Sequence, residues 1–104
     1  MTIITDSGLD IRQSLTACGI RVSLHGGITD YLESGINPGS FLESVICNDL
    51  VGAVCRADDD MTRDELKALI LWFYNEAPGP SNGSRALMER WMQSRRELKD
   101  IENA

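Results

Sequence analysis

Histidine is almost missing from this chain: among 104 residues there is one, His25. That removes most routes to acid–base catalysis at neutral pH and to imidazole metal ligation. Cysteine is sparse too. Cys18, Cys47 and Cys55 make an odd number with no close-spaced pair. This excludes a disulfide framework and predicts free thiols in a reducing cytoplasm. No apolar run is long enough to span a bilayer, so no membrane partner is expected. The first residues lack a basic segment followed by an apolar one, which predicts no secretion signal. No nucleotide loop or Gly-x-Ser-x-Gly elbow occurs. His25-Gly26-Gly27 therefore reads as loop or cap chemistry rather than an oxyanion hole. No metal or cofactor is predicted, and the chain is not read as an enzyme.

The remaining composition is that of a globular chain, 42% hydrophobic and 25% charged, with length for one domain and one modest core. Net charge is −6, unevenly spread. Residues 1–84 hold five basic side chains against twelve acidic, and residues 85–104 hold five against four. An acidic body repels nucleic-acid phosphate and favours protein partners with basic surfaces.

Helix punctuation is clear from residue 26 onward. Ile28, Tyr31 and Leu32 share a helix side that Gly35 ends in the left-handed conformation. Asn37 reads as an N-cap with Pro38 at the first helical position, before a buried face of Phe41, Leu42, Val45 and Ile46. Asn48-Asp49 breaks that helix and caps a second segment, Leu50–Arg56, whose Leu50, Val51 and Val54 are expected in the core. Gly52 disfavours one continuous helix. Thr62-Arg-Asp-Glu65 is a capping box with Met61 and Leu66 placed as a staple. Leu66, Leu69, Ile70, Phe73, Tyr74 and Ala77 then recur at helical spacing, and Pro78–Gly83 stops the helix. The last helix starts at Ser81 or Ser84, with Leu87, Trp91, Leu98 and Ile101 inward.

The first 25 residues allow two readings. Leu9, Ile11, Leu15 and Cys18 fit one helical face ending at Gly19. Thr2–Thr5 and Ile20–Leu24 instead alternate as short β-strands. The expected architecture is mainly α: an irregular bundle of four or five short helices, with short N-terminal strands as the open alternative. Residues 1–25 read as an extension and 26–104 as the helical domain, within a single domain overall.

Two charged clusters are the candidate sites. Asp58-Asp59-Asp60, with Asp64 and Glu65, offers carboxylates to a basic partner. As a calcium loop it fails, since Arg63 stands where glycine is required and Leu69 where the bidentate glutamate belongs. Its structural explanation is that acids favour the start of the helix at Thr62. Arg85, Arg90, Arg95, Arg96 and Lys99 are the alternative, a phosphate-binding face, although Glu89, Glu97 and Asp100 are interleaved with them. Asn82-Gly-Ser84 fits a glycosylation acceptor and reads as a turn.

The segment Gly26–Trp91 resembles a family of small, mostly uncharacterised proteins encoded by bacteriophages and prophages. The residues that carry the resemblance are Gly35-Ile36-x-Pro38-Gly39-Ser40-Phe41-Leu42, Asn48-Asp49-Leu50, Arg56-Ala57-Asp58, Trp72-Phe73-Tyr74-Asn75-x-Ala77-Pro78, Gly83-Ser84 and Trp91. The resemblance implies a phage-type accessory protein in the cytoplasm of a bacterial host, with no established activity attached. Together with the acidic body, it leads to the expectation of a non-enzymatic protein that binds a host or phage protein. An anti-CRISPR-like, nucleic-acid-mimicking counter-defence inhibitor is one concrete form. A small DNA-binding regulator using the last helix is the alternative. A homodimer is compatible with both.

Overall fold

Asp10, Asp49 and Thr62 start three of the helices through side-chain oxygens, and Gly35 ends another in the left-handed conformation. The computed structural model describes residues 8–102. Among these the helices are α1 (Ile11–Ala17), α2 (Val22–Ser34), α3 (Ser40–Ile46), α4 (Leu50–Arg56), α5 (Arg63–Asn75) and α6 (Arg85–Glu102), with a 3-10 turn at Gly79–Ser81 before α6. There is no sheet among the described residues. The fold is thus mainly α, with more helices than the four or five expected, because α1 is a helix of its own.

Asp10 caps α1 by accepting from Gln13 N at 2.8 Å, and Gln13 Oε1 accepts from Asp10 N in return. The β reading of Ile20–Leu24 is corrected: α2 begins at Val22. Ile20, Leu24 and Ile28 repeat at intervals of four and face inward, while Val22 is 79% exposed. Leu24 and Ile28 share the inward side of α2, and Ile20 reaches the same core from the turn before it. The other predicted strand, Thr2–Thr5, lies outside the described residues. The boundary set at residue 25 falls inside α2, and Ile11, Leu15 and Ile20 share one core with Tyr31, Leu42 and Trp72.

Gly35 ends α2 at φ 68°. It also has no room for a side chain, because a Cβ there would run into the backbone of Met92. α2 and α6 therefore cross in close contact, and Arg96 Nε donates to the Gly35 carbonyl at 3.0 Å. Asn37 is not the N-cap of α3. Its Oδ1 accepts from Gly39 N at 2.9 Å, a local turn that sets up Gly39 as the cap.

Buried polar groups pair across the core. Trp72 Nε1 donates to Ser14 Oγ at 2.9 Å, and Tyr31 Oη donates to the Ser81 carbonyl at 2.5 Å. His25 Nε2 lies 2.7 Å from the Ile20 carbonyl. His25-Gly26-Gly27, expected as loop or cap, lies within α2, and the buried imidazole reaches back to the turn before that helix. Asn82 Nδ2 donates to the Phe73 carbonyl at 3.1 Å, so the apparent glycosylation acceptor holds the end of α5.

The inner face of α6 is rotated by one residue from that expected. Met88 is its buried residue, Trp91 and Met92 pack beside it, and Leu98 and Ile101 are 44% and 71% exposed. Trp72 is buried and Trp91 half-buried, donating through Nε1 to the Leu32 carbonyl at 3.2 Å.

Candidate functional site

The site is built by the way α4 folds back on α3. Asn48 takes positive φ, 62°, to turn the chain. Asp49 then caps α4, its Oδ1 accepting from Gly52 N at 3.0 Å. Arg56, at the far end of α4, reaches back to donate to Ser44 Oγ at 2.7 Å and lies 3.7 Å from Asp49 Oδ2. Ser44 itself donates to the Ser40 carbonyl at 3.0 Å. This polar knot sits directly over Gly52, where a Cβ would collide with the Asp49 and Arg56 side chains and approach Ser44 Oγ to 2.6 Å. Gly52 and Ala53 are therefore the residues α4 turns inward. Small side chains let the two short helices close up.

The consequence contradicts one sequence expectation. Leu50, Val51 and Val54 do not return to the core; they are 69%, 71% and 56% exposed. A seven-residue helix with its small side buried must turn its large apolar side to solvent. The signal was present in the sequence, since Gly52-Ala53 marks a close-packing face, but large apolar residues outweighed it.

Beyond Arg56 the chain turns at residues 57–61, with Met61 N donating to the Asp58 carbonyl at 2.9 Å. Thr62 Oγ1 then caps α5 by accepting from Glu65 N at 3.1 Å. Between α4 and α5 this leaves an open groove of about 370 Å³ lined by Val54, Ala57, Met61 and Leu66, with Asp58, Asp59, Thr62 and Arg63 around them. Met61 and Leu66, the expected staple, are both half-buried there. On α5, Leu69, Trp72 and Phe73 face the core. Ile70 and Tyr74, expected inward, are 40% and 82% exposed and continue the Leu66 side of the helix. A second opening of about 270 Å³ shares Asp58 and Met61 and extends to Leu24, Phe41 and Leu42.

The acidic cluster is brought together but is partly neutralised. Arg21, the residue before α2, donates to Glu65 and to Asp60 Oδ1 at 3.3 Å, and lies 3.9 Å from Asp58 Oδ2. The bond to Glu65, then that to Asp60, raises the Arg21 pKa. Glu65 thus bonds Arg21 rather than closing the capping box. Asp59 and Asp64 form no ion pair among the described residues. No signal in the sequence joins Arg21 to acids 39 and 44 positions away.

The basic candidates do not form one face free for phosphate. Arg85 donates to Glu43 Oε1 at 2.6 Å, which lowers the Glu43 pKa. The Arg95 guanidinium stacks over Trp91 at 4.2 Å, and Arg96 is bonded to Gly35. Arg90 and Lys99 remain exposed.

Cys18 and Cys55 are exposed, and Cys47 is half-buried with Sγ 3.4 Å from Met88 Sδ. Burial is the main cause raising the Cys47 pKa. Arg56 directs its guanidinium to Ser44 and Asp49. Among the described residues no three His, Cys, Asp or Glu side chains are grouped to hold a metal ion. No helix of the described residues is long and apolar enough to cross a membrane. No family model, curated protein or solved structure matches the chain.

Proposed function

We propose that this protein acts non-enzymatically, by binding another protein through the outward face of α4 and the adjoining groove to α5. The observation that carries this reading is the exposure of Leu50, Val51 and Val54 on one well-capped helix, beside a groove edged by Asp58 and Asp59. A contiguous apolar face with a polar rim is what an interaction surface requires.

Magnitudes assign the parts their roles. Fully burying a Leu or Val side chain is worth roughly 1.5–3 kcal/mol before the losses of association are subtracted. An exposed ion pair is worth about 0–1 kcal/mol. The apolar residues would supply affinity, and Asp58, Asp59 and Asp64 would steer and orient. Asp60 and Glu65 contribute less, because Arg21 already holds them.

The partner in this reading is a bacterial host or phage protein with a basic surface, met in the cytoplasm. The resemblance of residues 26–91 to phage and prophage proteins supports it. An anti-CRISPR-like counter-defence inhibitor is its most concrete form, in which carboxylates take the place of phosphates. The DNA-regulator alternative loses support because Arg85, Arg95 and Arg96 are engaged within the molecule.

The test is affinity capture from host lysate with quantitative mass spectrometry, using the wild type, Val54→Asp and the Asp58/Asp59/Asp60→Ala variant. The expected result is a partner lost with Val54→Asp and weakened by the triple alanine variant. Identical capture profiles for all three would refute the assignment of this surface.

A further inference from the structure

We infer that the occupant of the α4–α5 groove is an amphipathic helix that presents apolar residues flanked by lysine or arginine. This deepens, and rests on, the protein-binding reading above. The shape of this surface suits a helix. Leu50 and Val54 stand four residues apart on α4, and Leu66, Ile70 and Tyr74 repeat at four on α5, so each helix contributes an apolar ridge. Val54 and Leu66 line the same furrow. A third helix seats on such a surface by placing its own ridge in the furrow. A segment added as a β-strand would need an open sheet edge to pair with, and the described residues have no sheet.

Charge separates a foreign helix from a second copy. The whole chain carries −6. At the turn end of the groove stand Asp58 and Asp59, and Arg63 is the one cationic lining residue. Asp58 has a single ion pair among the described residues, at 3.9 Å from Arg21, and Asp59 has none. Docking two copies by this face would bring together two acidic bodies and two Asp58-Asp59 ends. A basic helix places its cations over those carboxylates and its apolar side on Val54 and Leu66.

The experiment is fluorescence anisotropy of labelled peptides against the full chain at near-physiological salt. The probes are an amphipathic Leu/Lys helix of about five turns, its Leu/Glu counterpart, and a Leu/Lys peptide of the same composition scrambled to lose the apolar face. The Leu/Lys helix should bind at least about tenfold more tightly than either control, Val54→Asp should weaken it about tenfold, and Asp59→Lys several-fold. Arg90→Glu, on α6, should leave it unchanged. Val51→Asp is the second variant, and circular dichroism confirms that each exposed substitution folds. Equal binding of the scrambled peptide, or undiminished binding by both aspartate variants, overturns the inference. So does sedimentation showing that the free chain is a dimer dissociated by Val54→Asp. If the peptide fails while lysate capture still depends on Val54, the helical occupant falls and the protein-binding reading stands.

Discussion

Arg21 donates a hydrogen bond to Glu65, joining the start of α2 to the first turn of α5 across 44 positions of sequence. The same guanidinium reaches Asp60 at 3.3 Å. It holds together carboxylates that would otherwise repel one another next to the groove. Replacing Arg21 by Met should lower the thermal midpoint modestly, with a smaller loss at high salt, because the pairs are partly exposed and screenable. In a double-mutant cycle with Glu65→Gln the two losses should be less than additive. Thermal scans at low and high salt check both expectations.

Two helix glycines should respond to alanine with opposite signs. At Gly26, within α2, a Cβ meets nothing within 4 Å. Alanine there should stabilise by about 0.5–1 kcal/mol through helix propensity alone. At Gly52 the Cβ would strike the Asp49–Arg56–Ser44 knot. Arg56 can swing away, but Ser44 is short and buried. Gly52→Ala should therefore destabilise by about 1–3 kcal/mol despite the better propensity. Urea denaturation of the two variants tests the contrast.

Alkaline pH should weaken the fold through Tyr31. Burial raises its pKa above the ordinary value, and its hydroxyl donates to the Ser81 carbonyl at 2.5 Å. The unfolded chain releases this proton above about pH 10 while the folded chain keeps it. The contribution of Tyr31 is thus complete below that pH and declines as pH rises through and beyond it. Tyr31→Phe should lose about 1 kcal/mol at neutral pH and show a weaker decline on the alkaline side. Chemical denaturation across that range gives the comparison.

Acid should act through Glu43 in the opposite sense. The hydrogen bond from Arg85 lowers the Glu43 pKa, with burial opposing. The pair's stabilisation is therefore present above the ordinary glutamate pKa and lost as pH falls through the lower folded value. Arg85→Met should reduce stability at neutral pH, and the difference from wild type should shrink on acidification.

Much of the fold was legible because its punctuation is local. Gly35, Asp49 and Thr62 end or start helices through their own backbone freedom or side-chain oxygens, and sequence carries that directly. The α2 boundary was missed because five residues of Ile20–Leu24 fit either period, and only packing of Leu24 and Ile28 selects the helix. The candidate site was misread for a different reason. Apolar character marks a residue that gains by leaving water, but does not say whether the cover comes from this chain or another. On α4 the inward side was decided by the fit of Gly52 and Ala53 against α3. The pairing of Arg21 with the acids is a tertiary fact with no local trace.

On the proposed reading, this protein meets its partner through the α4–α5 face. Chemical-shift mapping on the ¹⁵N-labelled full chain, titrated with the Leu/Lys amphipathic helix, tests it most directly. Perturbations concentrated at residues 50–66 and along the Ile70–Tyr74 side of α5, absent from the Val54→Asp variant, are the predicted result. Perturbations centred on α2 or α6, or unaltered by Val54→Asp, would contradict it.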